Sequence, residues 1–172
     1  MDTQAEKIAE LRRAAVNDPR NGEIRYLLGA ELAQQQRYDE AVLELSAAVA
    51  LNPLLHTARF QLGLLHLTMA QVQHAAAVLA PLENLEDDAP LKHFKRGLDA
   101  LAADDFQTAV ASLERGMHLN TENAALNADM RMLLDRINTT IANNASASPV
   151  TNAEPAADAV HTDFSLYGVT RH

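Results

Sequence analysis

Leu28-Gly29, then Tyr38-Asp39-Glu40-Ala41, then Ala48-Val49, then Leu51-Asn52-Pro53 make up a stretch that the chain repeats at a fixed distance. A shift of 34 residues aligns three segments without a gap. Gly29, Gly63 and Gly97 fall in one column, and Ala41, Ala75 and Ala109 in a second. Tyr38, Val72 and Phe106 form a third, and Leu45, Leu79 and Leu113 a fourth. Shifting backwards aligns Leu11 with Leu45, Ala14 with Ala48 and Pro19 with Pro53, so the N-terminal segment matches the second half of a repeat. A fixed period of this length is the mark of a repeat architecture.

Each column has a physical reason. Two antiparallel helices that pack closely need a small residue where their backbones approach, and glycine and alanine supply it. Glycine inside a helix costs about 1 kcal/mol relative to alanine, so three at one period point to a steric need. The aromatic or branched residue at Tyr38, Val72 and Phe106 starts each second helix and can plug the hairpin. Pro19 and Pro53 sit just past helix ends, where they block continuation.

These residues resemble the tetratricopeptide repeat family, whose unit is a 34-residue helix–turn–helix. The second repeat keeps Leu62-Gly63 and Ala75, and the third keeps Gly97, Phe106, Ala109 and the closing Leu119-Asn120. The resemblance covers roughly Leu11 to Asn120. It implies an all-α fold, a right-handed superhelical solenoid of helical hairpins with a capping helix and a disordered C-terminal tail. The expected organisation is one repeat domain over residues 1–143: a half repeat at 3–19, repeats at about 22–53, 56–87 and 90–121, and a cap at 122–143. The family's large aromatic in the first helix is replaced by Arg25, Arg59 and His93, each followed by an aromatic residue.

Helices are expected at about 3–17, 22–36, 38–51, 55–69, 72–84, 90–103, 106–119 and 122–142. Pro81 falls inside the second helix of repeat two. There it removes a hydrogen bond and clashes with the carbonyl of Ala77, which predicts a kink or early stop near Ala80. Leu126, Met130, Leu133, Leu134 and Ile137 recur at helical spacing. A solenoid's terminal element must hide one face and present a polar one, which suits this segment as the cap. From residue 144 the composition turns to Ala, Ser, Asn, Thr, Pro and acids. Such a segment cannot bury enough surface to offset chain entropy, so residues 144–172 read as a disordered tail, with a short apolar motif at 161–169.

The resemblance places the inner face of the solenoid on three columns of the first helices. They are Tyr26, Phe60 and Phe94; Ala30, Leu64 and Leu98; and Ala33, Leu67 and Leu101. Within a helix these positions share one face. Arg25, Gln34, Arg59, Thr68 and His93 border it. An apolar face of this kind reads as a groove for an amphipathic helix or an extended apolar peptide, or as core buried between neighbouring hairpins. The ladder lacks the Lys, Arg and Asn pattern of the carboxylate clamp that some members of the family use. In the tail, Phe164, Leu166 and Tyr167 form a candidate ligand motif for the chain's own groove or that of another copy, on a linker of about 20 residues with a reach on the order of 25 Å.

Charge and composition narrow the function. The net charge of −9 opposes binding to nucleic acid or an anionic membrane, which both call for clustered Lys and Arg. There is no cysteine, so neither disulfides nor thiolate metal sites are available. No run approaches the roughly 18 apolar residues of a membrane span, and Met1 to Arg13 does not have the pattern of a signal peptide; the cytoplasm is the expected compartment. There is no glycine-rich phosphate loop, and the histidines form no metal-ligating pair on one helix. The expectation is therefore a non-enzymatic binding module with no catalytic residue, no metal and no cofactor: an adaptor, scaffold or assembly factor. Its partner would be a protein or peptide with an apolar or amphipathic segment. Two other readings stand beside it: a chaperone of the bacterial secretion type for an unfolded apolar segment, and a structural homo-oligomer built by tail exchange or by pairing of capping helices.

Overall fold

The computed structural model describes residues 3–146. Eight α-helices follow one another among the described residues: α1 (Thr3–Asn17), α2 (Gly22–Gln34), α3 (Tyr38–Leu51), α4 (His56–Thr68), α5 (Val72–Leu79), α6 (Pro90–Ala102), α7 (Phe106–Leu119) and α8 (Ala124–Ser146). A short 3₁₀ helix, Ala80–Asn84, continues from α5. The tail motif at 161–169, with Phe164, Leu166 and Tyr167, lies outside the described residues.

The period survives in three dimensions. The first helices and α8 begin at residues 22, 56, 90 and 124, and the second helices at 38, 72 and 106, so each kind of helix recurs every 34 residues. The helices form compact units that divide between Asp87 and Asp88. In the first unit, α2 packs on α3, α4 on α5, and α1 on α2. Its core gathers Ile8, Leu28, Leu32, Ala41, Leu45, Ala48, Ala58, Leu62 and Leu65. In the second unit, α6 packs on α7 and α7 on α8. Its buried residues include Phe94, Leu98, Leu101, Ala109 and Leu113, with Leu126, Met130, Leu133, Leu134 and Ile137 from α8.

Two of the sequence columns turn out to be partners. A Cβ added at Gly29 would lie 2.7 Å from Cγ of Leu45, one at Gly63 2.4 Å from Cγ of Leu79, and one at Gly97 2.7 Å from Cγ of Leu113. Each hairpin thus closes with a leucine of its second helix pressed onto the bare backbone of its first. The plug column is less uniform, with Tyr38 and Phe106 half-buried and Val72 50% exposed.

The first helices stop earlier than hydrophobic spacing alone indicates, for a reason in the turns. Gln36, Ala70 and Asp104 all have positive φ, at 59°, 58° and 57°, and they too are 34 apart. In each hairpin the next residue donates its N–H to a carbonyl five residues back: Arg37 to Leu32 at 2.9 Å, Gln71 to His66 at 2.8 Å, and Asp105 to Ala100 at 2.9 Å. That is the Schellman ending of a helix, which favours glycine at its left-handed position; here it is built three times without glycine.

Pro81 stands near the start of the 3₁₀ segment, and α5 ends at Leu79. The last connection is fixed by asparagines. Asn123 Oδ1 accepts from the N–H of Leu126 at 3.0 Å, and Asn120 donates through Nδ2 to Asn127 Oδ1 at 2.8 Å. Asn127 in turn donates to the carbonyl of Asn120 at 2.8 Å. An asparagine cap at residue 123 explains why α8 begins at Ala124.

Candidate functional site

In the first unit, α2 carries Tyr26 and Ala30 half-buried, Ala33 buried and Gln34 exposed along one face. Tyr26 lies against the unit's core. Burial, reinforced by the Glu23 carboxylate, pushes its phenol above the ordinary tyrosine value. The group is therefore neutral at physiological pH, an apolar ring with one O–H. On α4 the corresponding positions are closed off, with Phe60 at 0% exposure, Leu64 at 2% and Leu67 at 7%. Thr68 turns its hydroxyl back onto the carbonyl of Leu64 at 3.0 Å.

In the second unit, Phe94, Leu98 and Leu101 on α6 are at 0%, 2% and 1% exposure. Phe94 has an evident neighbour within its own hairpin. A Cβ added at Gly116 of α7 would lie 2.4 Å from Cδ1 of the Phe94 ring, so the ring rests on a glycine. A ring with no exposed surface offers a partner nothing in this conformation. Of the aromatic ladder, Tyr26 is the rung with surface to give.

The basic residues beside the ladder are engaged. Arg25 donates through Nη1 to Glu44 at 2.8 Å, and Arg59 donates to the carbonyl of Val78 at 3.4 Å. His93 is half-buried. Other pairings had no signal in the repeat pattern. Lys7 of α1 pairs with Glu31, a carboxylate in the buried part of α2. Glu40 accepts from Arg12 at 2.5 Å and from Arg37 at 2.6 Å. His66 bonds through Nδ1 to Gln71 at 2.7 Å, and its ring stacks on His74 with centroids 5.5 Å apart. These two histidines belong to different helices, and the turn at Ala70 brings them together. Among the described residues no group of three or more His, Cys, Asp or Glu could hold a metal ion. No described helix is long and apolar enough to cross a membrane.

The fold has solved counterparts. The structure titled "MamA 41-end from Desulfovibrio magneticus RS-1" superposes with a TM-score of 0.58 at 18% identity, over 85% of this chain and 80% of that one. "MamA RS-1 ArsTM double mutant" gives 0.57 at 19%, over 84% and 79%. The match establishes the fold class, an all-α solenoid. No protein-family model matches the chain, and no curated protein matches it at the level of a relative.

Proposed function

We propose that the chain is a non-enzymatic protein-interaction module, and that it takes an apolar or amphipathic segment of a partner protein along the face of its first helices. The observation that carries this reading is the half-exposed strip on α2, where Tyr26 and Ala30 present apolar surface beside the exposed amide of Gln34. Tyrosine in such a place suits binding, since it offers a large rigid apolar area together with a hydrogen-bonding tip. Phe60, Leu64 and Leu67 in the first unit, and Phe94, Leu98 and Leu101 in the second, continue the same columns.

The test is affinity purification from the native cell with the intact chain and with a Tyr26→Ala/Ala30→Arg variant, whose helicity is checked by circular dichroism. These positions are chosen because alanine at a fully buried phenylalanine costs about 3–5 kcal/mol and would confuse loss of folding with loss of binding. A protein held by the intact chain and lost from the folded variant supports the proposal. Equal retention by both places the binding surface elsewhere.

A further inference from the structure

The second unit carries a cleft of about 690 Å³ between α7 and the C-terminal half of α8. Phe106, Val110, Ala111 and Ile141 give it an apolar floor. Asp104, Asp105 and Glu114 stand along it, and no Lys, Arg or His is among its lining residues. All three acids are exposed. Hydrogen bonds from Thr108, that of its side chain first and that of its N–H with it, hold the Asp105 carboxyl below the usual range and keep it ionised.

Two further observations show that this cleft is not simply a by-product of the repeat. The first is its charge. The column of Asp104 holds Gln36 and Ala70 in the earlier repeats, that of Asp105 holds Arg37 and Gln71, and that of Glu114 holds Ser46 and Ala80. None of the three carboxylates is inherited from the period. The second is its register. Second helices begin 16 residues after first ones, as at 22 and 38, 56 and 72, and 90 and 106. After α8, which begins at 124, the next would begin at 140, but α8 runs on through Ser146. The hairpin that α8 opens is not closed by a second helix within the described residues. Arg131 occupies the glycine column on α8, and Asn138, which lines the cleft, lies two turns further along that face. The cleft therefore sits on the side of α8 that in the other hairpins receives a second helix.

We infer that the α7–α8 cleft docks a cationic amphipathic helix from a partner protein, its apolar stripe on Phe106, Val110 and Ile141 and its Lys or Arg residues toward Asp104, Asp105 and Glu114. The side of α8 that carries no second helix among the described residues gives the occupant its form, and the acid rim gives it its charge. The surface is separate from the α2 strip and does not depend on it.

The probe is a synthetic fluorescent 14-residue helical peptide, with leucines on one face and lysines flanking them, titrated into the full-length chain and followed by anisotropy. Binding in the micromolar range is expected, weakened about tenfold or more by Asp104→Asn/Glu114→Lys, with helicity unchanged. Asparagine is chosen at residue 104 because it tolerates positive φ. Asp39→Asn/Glu10→Lys makes the same change in net charge elsewhere and should leave affinity intact. So should Tyr26→Ala, which separates this cleft from the other surface. Absence of binding, or equal loss in both charge variants, overturns the inference. Sedimentation tests the remaining occupant: if the chain self-associates and Asp104→Asn/Glu114→Lys abolishes it, the cleft receives a second copy and the inference of a separate partner fails.

Discussion

The second helices of repeats two and three begin alike and end differently. α7 runs unbroken for 14 residues, from Phe106 to Leu119. α5 stops after 8, at Leu79, and hands over to the 3₁₀ turn that holds Pro81. The column one residue past the proline explains what the change of winding accomplishes. That column holds Ala48 in repeat one and Gly116 in repeat three, both buried, and Leu82 in repeat two, at 0% exposure. At Gly116 even a Cβ would meet the Phe94 ring at 2.4 Å, so a regular α-helix has no room for leucine there. In repeat two the path is 3₁₀, with a different rise and rotation per residue, and on it the larger Leu82 is buried. A proline that looks like a defect in the pattern is thus matched to the residue that follows it.

Four substitutions sharpen this comparison. Leu82→Ala should have the largest effect, a loss of about 2–5 kcal/mol in chemical denaturation as a buried leucine is removed. Pro81→Ala should also destabilise, by about 1–3 kcal/mol, because an α-helical continuation forces Leu82 into a space that holds only alanine or glycine elsewhere. A gain in stability with added helical signal in circular dichroism would show that the proline is merely tolerated. Ala70→Gly should stabilise by about 0.5–1 kcal/mol. Relief of a left-handed alanine outweighs the added freedom of the unfolded chain. Asp104→Gly should gain less, since aspartate accepts that conformation more readily.

Asp105→Ala should have the smallest effect, and its signature is pH dependence. The folded-state pKa of Asp105 is depressed through its bond to Thr108. Its contribution is therefore present above the unfolded-state value near 4 and fades as pH falls through the lower folded value. Denaturation curves of the variant and the parent should differ at neutral pH and converge below about pH 4. A difference that stays constant across that range would assign the effect to something other than the cap.

What could be read from the sequence and what could not follow from the kind of signal each feature leaves. The glycine, alanine and leucine columns were legible because close packing restricts residue type, and Pro81 because a proline inside a helix removes a backbone hydrogen bond. The left-handed turns at Gln36, Ala70 and Asp104 were not, since glutamine and alanine give no hint of positive φ. Only their shared offset from Gly29, Gly63 and Gly97 marked them. The repeat put Tyr26, Phe60 and Phe94 on one column, and the resemblance put that column on the inner face, but neither could grade their burial. Periodicity names a face of a helix and is silent about its cover, and the structure leaves Tyr26 half-exposed while closing over both phenylalanines. The stacking of His66 on His74 and the asparagine cluster at 120, 123 and 127 depend on turn geometry, which composition does not encode. The acid cleft was hidden for a different reason: its residues come from the turn before α7, from α7 itself and from the C-terminal half of α8, and its charge departs from the repeat.

The claim beneath all of this is that each hairpin closes by pressing a leucine onto a glycine. A double-mutant cycle at Gly97 and Leu113 tests it most directly. Gly97→Ala should cost about 1–3 kcal/mol in the parent, where the new Cβ meets the Leu113 side chain. In a Leu113→Ala background the same change should become neutral or favourable by up to about 1 kcal/mol, because alanine is the better helix former once the contact is gone. A reversal of sign between the two backgrounds is the predicted result. An equal cost in both would mean that the glycine column is kept for some reason other than the leucine opposite it, and the account of how these hairpins form would fail.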